Sequence, residues 1–112
     1  MAYDEGLTER VRELAEQELA GRVLIEKKMF GGLAFLLNGN MAVGISKESL
    51  MVRLAPEDSD AALAEPGARV FDMTGRPMKG WLLVDPEGIA TDADLRRWVG
   101  RSLDYAGSLP PK

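Results

Sequence analysis

The chain has no cysteine and no histidine. Without cysteine there is no disulfide, no thiolate nucleophile and no zinc–thiolate site. Without histidine, the usual general base near neutral pH and the commonest metal ligand are both missing. Long apolar runs are scarce as well, and none approaches the roughly 18 residues needed to cross a bilayer. The first residues, "MAYDEGLTERV", carry acids early and have no apolar core, so they do not read as a signal peptide. The expectation is a cytoplasmic protein that does not enter a membrane.

What is present suits one folded unit. The 112 residues are 46% apolar, which is enough to bury about two-thirds of the unfolded surface in a single domain. We therefore read residues 1–112 as one domain with a loose tail over 107–112. The net charge of −4 is segregated: −4 over residues 1–21, +3 over 22–55, −4 over 56–65, +2 over 66–84 and −1 over 85–112. An acidic whole disfavours non-specific binding to nucleic acid. The basic blocks still offer a place for an acidic partner.

Periodicity supplies the elements. Leu7, Val11, Leu14, Ala15 and Leu19 fall on one helical stripe, predicting a helix from about residue 4 to 20 that ends near Gly21. Leu33, Phe35 and Leu37 alternate with Ala34 and Leu36. Met41, Val43 and Ile45 alternate with Ala42 and Gly44. Asn38-Gly39 between them is the strongest short-range signal for a two-residue hairpin turn, in which both residues take positive φ. Leu50, Val52 and Leu54 make a third run after a turn at residues 46–49, and Val23–Met29 is a candidate for a shorter preceding strand. "PEDSDAALAEPG" predicts a short acidic helix stopped by Pro66-Gly67. Val70–Met73 and Trp81–Val84 form a second strand pair, followed by a turn at Asp85-Pro86-Glu87-Gly88. Thr91 caps a final helix whose stripe is Leu95, Trp98, Val99, Leu103 and Ala106. This order predicts an α+β two-layer sandwich: an antiparallel sheet of five to six strands with helices on one face.

Motifs that carry chemistry are thin. In "EKKMFGGLAFLLNGN" the lysines precede Gly31-Gly32 and a strand follows, whereas a Walker loop needs G-x-x-x-x-G-K ahead of a helix. The glycines therefore read as a bend or bulge between strands. Glu57, Asp58 and Asp60 lack the ligand alternation and central glycine of a calcium loop, and no G-x-S-x-G element exists. We expect no catalytic residue, no cofactor and no metal. Arg53 is predicted to point to solvent from its strand and to meet a cross-strand carboxylate such as Glu26. Arg76 and Lys79 sit in a Gly/Pro-bounded loop suited to partner contact. Trp98 lies on a core stripe. Trp81 stands in Trp81-Leu82-Leu83-Val84, a run with no polar side, which implies cover on both faces or an edge paired with another subunit; the expectation is a homodimer that buries part of the sheet's open face or edge. The partner-contact candidates are thus Lys27, Lys28, Arg53, Arg76, Lys79 and Trp81.

"KKMFGGLAFLLNGNMAVGI" (27–45), "LMVRL" (50–54), "ALAEPGA" (62–68), "TGRPMKGWLLVDPEG" (74–88) and the terminal "PPK" together resemble the N-terminal domain of the TfoX/Sxy family over essentially the whole chain. The resemblance implies a small α/β sandwich with an antiparallel sheet and a regulatory role of the natural-competence kind. It supplies no catalytic residue. Members of that family carry a second, C-terminal domain, so the expectation is a stand-alone N-terminal domain. The leading functional expectation is a non-enzymatic protein-interaction module whose partner belongs to the transcription machinery. The alternatives are nucleic-acid binding through the basic strand region and a small enzyme with carboxylate or lysine chemistry.

Overall fold

The computed structural model describes residues 5–18, 24–29, 32–71 and 80–110. Helix α1 (Glu5–Glu18) is followed by strands β1 (Leu24–Met29), β2 (Gly32–Leu37), β3 (Asn40–Ser46) and β4 (Ser49–Arg53). A 3-10 turn at Pro56–Asp58 runs into the single-turn helix α2 (Ser59–Ala62). Strands β5 (Ala68–Val70) and β6 (Trp81–Val84), a second 3-10 turn at Pro86–Gly88 and helix α3 (Asp92–Ser108) complete the order. All pairings are antiparallel, and the six strands lie in the order β1-β2-β3-β4-β6-β5. The fold is α+β, with α1 and α3 on one face of the sheet. Among the described residues no helix is long and apolar enough to cross a membrane.

Local chemistry sets the corners. Asn38 (φ 55°) and Gly39 (φ 82°) make the two-residue turn between β2 and β3, where a positive φ at both positions matches the right-handed strand twist. Thr91 caps α3 by accepting a hydrogen bond from the Asp94 amide at 3.1 Å. Gly32 opens β2 beside β3. A Cβ there would stand 2.0 Å from the Ile45 carbonyl oxygen, so only glycine allows this approach. The predicted need for a small residue at the β1–β2 corner holds for Gly32; Gly31 lies outside the described residues.

Alternation sorts the strand residues into two clusters. Leu33, Phe35, Leu37, Val43, Ile45, Leu50, Val52, Leu82 and Val84 meet the stripes of α1 and α3, with Trp98 fully buried at the centre. The opposite face carries a second cluster of Ala34, Met41, Met51, Phe71 and Leu83, with Leu36 and Trp81 at its margin. This explains the run from Trp81 to Val84. β6 is an interior strand between β4 and β5, with apolar contacts on both faces. The observation that suggested a homodimer edge is therefore satisfied within one chain.

Three expectations are corrected. Met41 does not share a face with Val43 and Ile45. The register passes from Phe35↔Val43 to Leu36↔Met41, so Ala42 is the extra residue of a β-bulge that turns Met41 to the second cluster. The fifth strand begins at Ala68 rather than Val70 and spans Ala68–Val70, with Phe71 off the ladder and packed on that cluster; residues 72 and 73 of the expected strand lie outside the described residues. Residues 107–110 are not loose: α3 continues to Ser108, and the buried Asn40 amide donates to the Pro110 carbonyl at 3.0 Å.

Candidate functional site

β4 and β6 bring two of the predicted contact residues together. Arg53 is the cross-strand partner of Trp81, so both side chains project from the same face of the sheet. The Arg53 guanidinium carbon lies 5.1 Å from the Trp81 ring centroid and 5.6 Å from that of Tyr105 on α3. Trp81 in turn lies 6.1 Å from Phe71, ring to ring. A planar, weakly hydrated guanidinium suits such stacking, and its charge persists there. Among the described residues no carboxylate lies within salt-bridge distance of Arg53. The site is a half-buried cation between two aromatic rings, open to an acidic group from outside.

The predicted Arg53–Glu26 pair does not form, because β2 and β3 stand between β1 and β4. Glu26 is held instead by Arg12 of α1, whose Nε and Nη2 donate to its two oxygens at 2.7 and 2.6 Å. Those hydrogen bonds hold the Glu26 carboxyl below its usual range, against a smaller opposing effect of burial, and raise Arg12. Sequence spacing carries no signal for this contact between a helix and a strand.

Lys27 and Lys28 do not converge. Lys27 pairs with Ala34 on the second-cluster face, and Lys28 pairs with Leu33 on the helix face. Both are exposed on the outermost strand, about 14 Å from β4 at ordinary strand spacing. Arg76 and Lys79 lie outside the described residues.

A hollow of about 350 Å³ shares Tyr105 with the Arg53 site and is lined by Leu54, Ala55, Asp58, Arg101, Asp104 and Tyr105. Arg101 is committed there, donating to Glu65 at 2.8 Å while Arg97 binds the other oxygen of the same carboxylate. Both guanidinium carbons also lie over the ring of Trp98, at 5.0 and 5.3 Å. Burial pushes Glu65 upward, but the hydrogen bonds from Arg101 and Arg97 prevail and leave it below its usual range. The exposed Asp58 and Asp104 remain as an acidic rim beside the Arg53 cation. A separate cluster joins β4, β5 and the end of β6. There Ser49 donates to Asp85 at 2.8 Å, and Arg69 Nε lies 2.9 Å from the same oxygen. The serine bond first, then the arginine, lowers the Asp85 carboxyl. Tyr105 and this cluster were not read from the sequence. The Glu65 pair was not read either, though the i, i+4 spacing of Arg97 and Arg101 on one helix face was a signal that could have found it.

Among the described residues no group of three or more acidic side chains is placed to hold a metal ion. No curated protein and no solved structure matches the chain. The family model of the TfoX N-terminal domain matches residues 17–106. That span takes in both arms of the sheet, the Arg53–Trp81 pair and most of α3: the chain belongs to the TfoX N-terminal domain family.

Proposed function

We propose that the protein is a non-enzymatic interaction module, a regulatory accessory of the competence type, that meets a protein partner through Arg53, Trp81 and Tyr105. One observation carries the reading. A preorganised cation between two aromatic rings stands beside an acidic rim formed by Asp58 and Asp104. Arginine and aromatic residues are the groups that anchor protein interfaces. The juxtaposed charges of both signs suit a protein surface of mixed charge. A nucleic-acid backbone, negative throughout, would be repelled by the rim. Family membership supports the regulatory part.

The test is a transcript profile in the organism that encodes the chain. An Arg53→Glu/Trp81→Ala variant at the native locus, present at wild-type protein level, is expected to shift the same transcripts as deletion of the gene. A wild-type profile in that variant alongside an altered profile on deletion would remove these residues from the function. No change on deletion would remove the regulatory role.

A further inference from the structure

β1 ends the sheet, and among the described residues no strand neighbours its outer side. In an antiparallel pair, alternate residues of such a strand turn their N–H and C=O groups away from their partner. Soluble proteins usually guard an edge of this kind with lysine. Here the guard has a particular shape. Ile25 is 59% exposed, and Glu26, Lys27 and Lys28 are exposed beside it. The Glu26 carboxylate is consumed by Arg12, so it does not neutralise the lysines. No carboxylate among the described residues lies within salt-bridge distance of Lys27 or Lys28. Register places Lys27 above the sheet and Lys28 below it. The edge therefore carries two positive charges, one on each face, with no counter-charge among the described residues.

We propose that this edge receives an extended acidic peptide segment of a protein partner, which adds to the sheet beside β1. The surface is separate from the Arg53 site, and the proposal goes beyond the reading above. Strand addition supplies main-chain hydrogen bonds, and side-chain pairing across the new ladder supplies the selection. Successive residues of a strand point to opposite faces, so Lys27 and Lys28 are met by two consecutive acids. Ile25 lies two residues from Lys27 on the same face and is met by an apolar side chain. A segment running antiparallel to β1, as every strand pair in this sheet does, reads acid-acid-any-apolar. A second copy of this chain fits poorly, because pairing two β1 edges gathers four like charges with no counter-charge.

The experiment uses the full chain and a short fluorescein-labelled peptide carrying Glu-Asp-Thr-Val, read by fluorescence anisotropy at low salt. Saturable binding is expected, weakening several-fold when ionic strength rises through the physiological range. Lys27→Glu/Lys28→Glu should lower affinity by about tenfold. Lys27→Gln/Lys28→Gln should fall between the wild type and the double glutamate variant. Circular dichroism of each variant should remain that of the wild type. N-methylation of alternate peptide residues should abolish binding in one frame and spare it in the other. The proposal is overturned by no binding at low salt, by equal affinity in both lysine variants, or by equal tolerance of the two N-methyl frames. A wild-type dimer that Lys27→Glu/Lys28→Glu dissociates would give the edge to a second copy instead.

Discussion

The Arg53 guanidinium carbon stands 5.1 Å from the ring of Trp81, the residue directly opposite it in the β4–β6 ladder. A cation over an aromatic face at a partly exposed site contributes about 0.5–1 kcal/mol. Arg53→Met keeps the stem and removes the charge, so its stability should fall by no more than about 1 kcal/mol by denaturant titration. The emission of Trp81 should change with the loss of the charge, whereas Trp98, fully buried, should keep a blue-shifted and quencher-resistant signal. A loss of several kcal/mol would mean that Arg53 is structural rather than presented.

Thr91 closes α3 with one hydrogen bond, to the Asp94 amide. Thr91→Ala should cost about 1 kcal/mol, and Thr91→Ser should recover most of it. Thermal unfolding of the three proteins checks this. Equal midpoints would mean that water satisfies the Asp94 amide as well as the threonine does.

Two glycines should respond in opposite directions to the same substitution. A Cβ on Gly32 would meet the Ile45 carbonyl oxygen at 2.0 Å, while one on Gly100, inside α3, meets nothing within 4 Å. Gly32→Ala should destabilise by about 1–3 kcal/mol through forced backbone displacement. Gly100→Ala should stabilise by about 0.5–1 kcal/mol through helix propensity. Urea midpoints at constant slope report both.

Glu26, Glu65 and Asp85 are all held below their ordinary values of 4.5, 4.5 and 3.8. A carboxyl depressed in the folded state contributes stability that is fully present above its unfolded value. That contribution is lost as the pH falls from there toward the lower folded value. Stability should therefore be flat from neutrality down to about pH 5 and decline below it. Because all three pairs are partly solvated, each contributes at most about 1 kcal/mol. Glu65→Gln should flatten part of the decline by removing the carboxyl that Arg97 and Arg101 share. An unchanged profile would mean that the arginines gain nothing from its charge.

Local chemistry was legible in the sequence, and long-range pairing was not. Asn38-Gly39 and Thr91 announce a hairpin and a helix start because their side chains and φ preferences act within a few residues. The helix stripes and the β4 alternation placed the main core for the same reason. The bulge at Ala42 left no mark, since inserting one residue in a run of apolar residues keeps the pattern plausible on either face. The pairing of the strand at Val70 with Trp81–Val84 was read from the sequence, but the second cluster was not, because Phe71 joins it from outside the ladder, where no periodicity applies. Of the six contact candidates, the fold unites Arg53 with Trp81 and divides Lys27 from Lys28. Tyr105, 5.6 Å from the Arg53 guanidinium carbon, arrives from a helix far along the chain and could only be found in three dimensions.

We propose that the lysines and glycine at the β1–β2 corner serve the sheet and its protein contacts rather than gripping a small cofactor. Amide chemical shifts of the labelled protein test it most directly, in separate titrations with ATP, with inorganic phosphate and with the acidic peptide. The peptide should move the amides of Leu24–Met29, while ATP and phosphate should produce no saturable shift at Lys28 or Gly32. Saturable, salt-resistant movement of Lys28 and Gly32 with ATP or phosphate would contradict it.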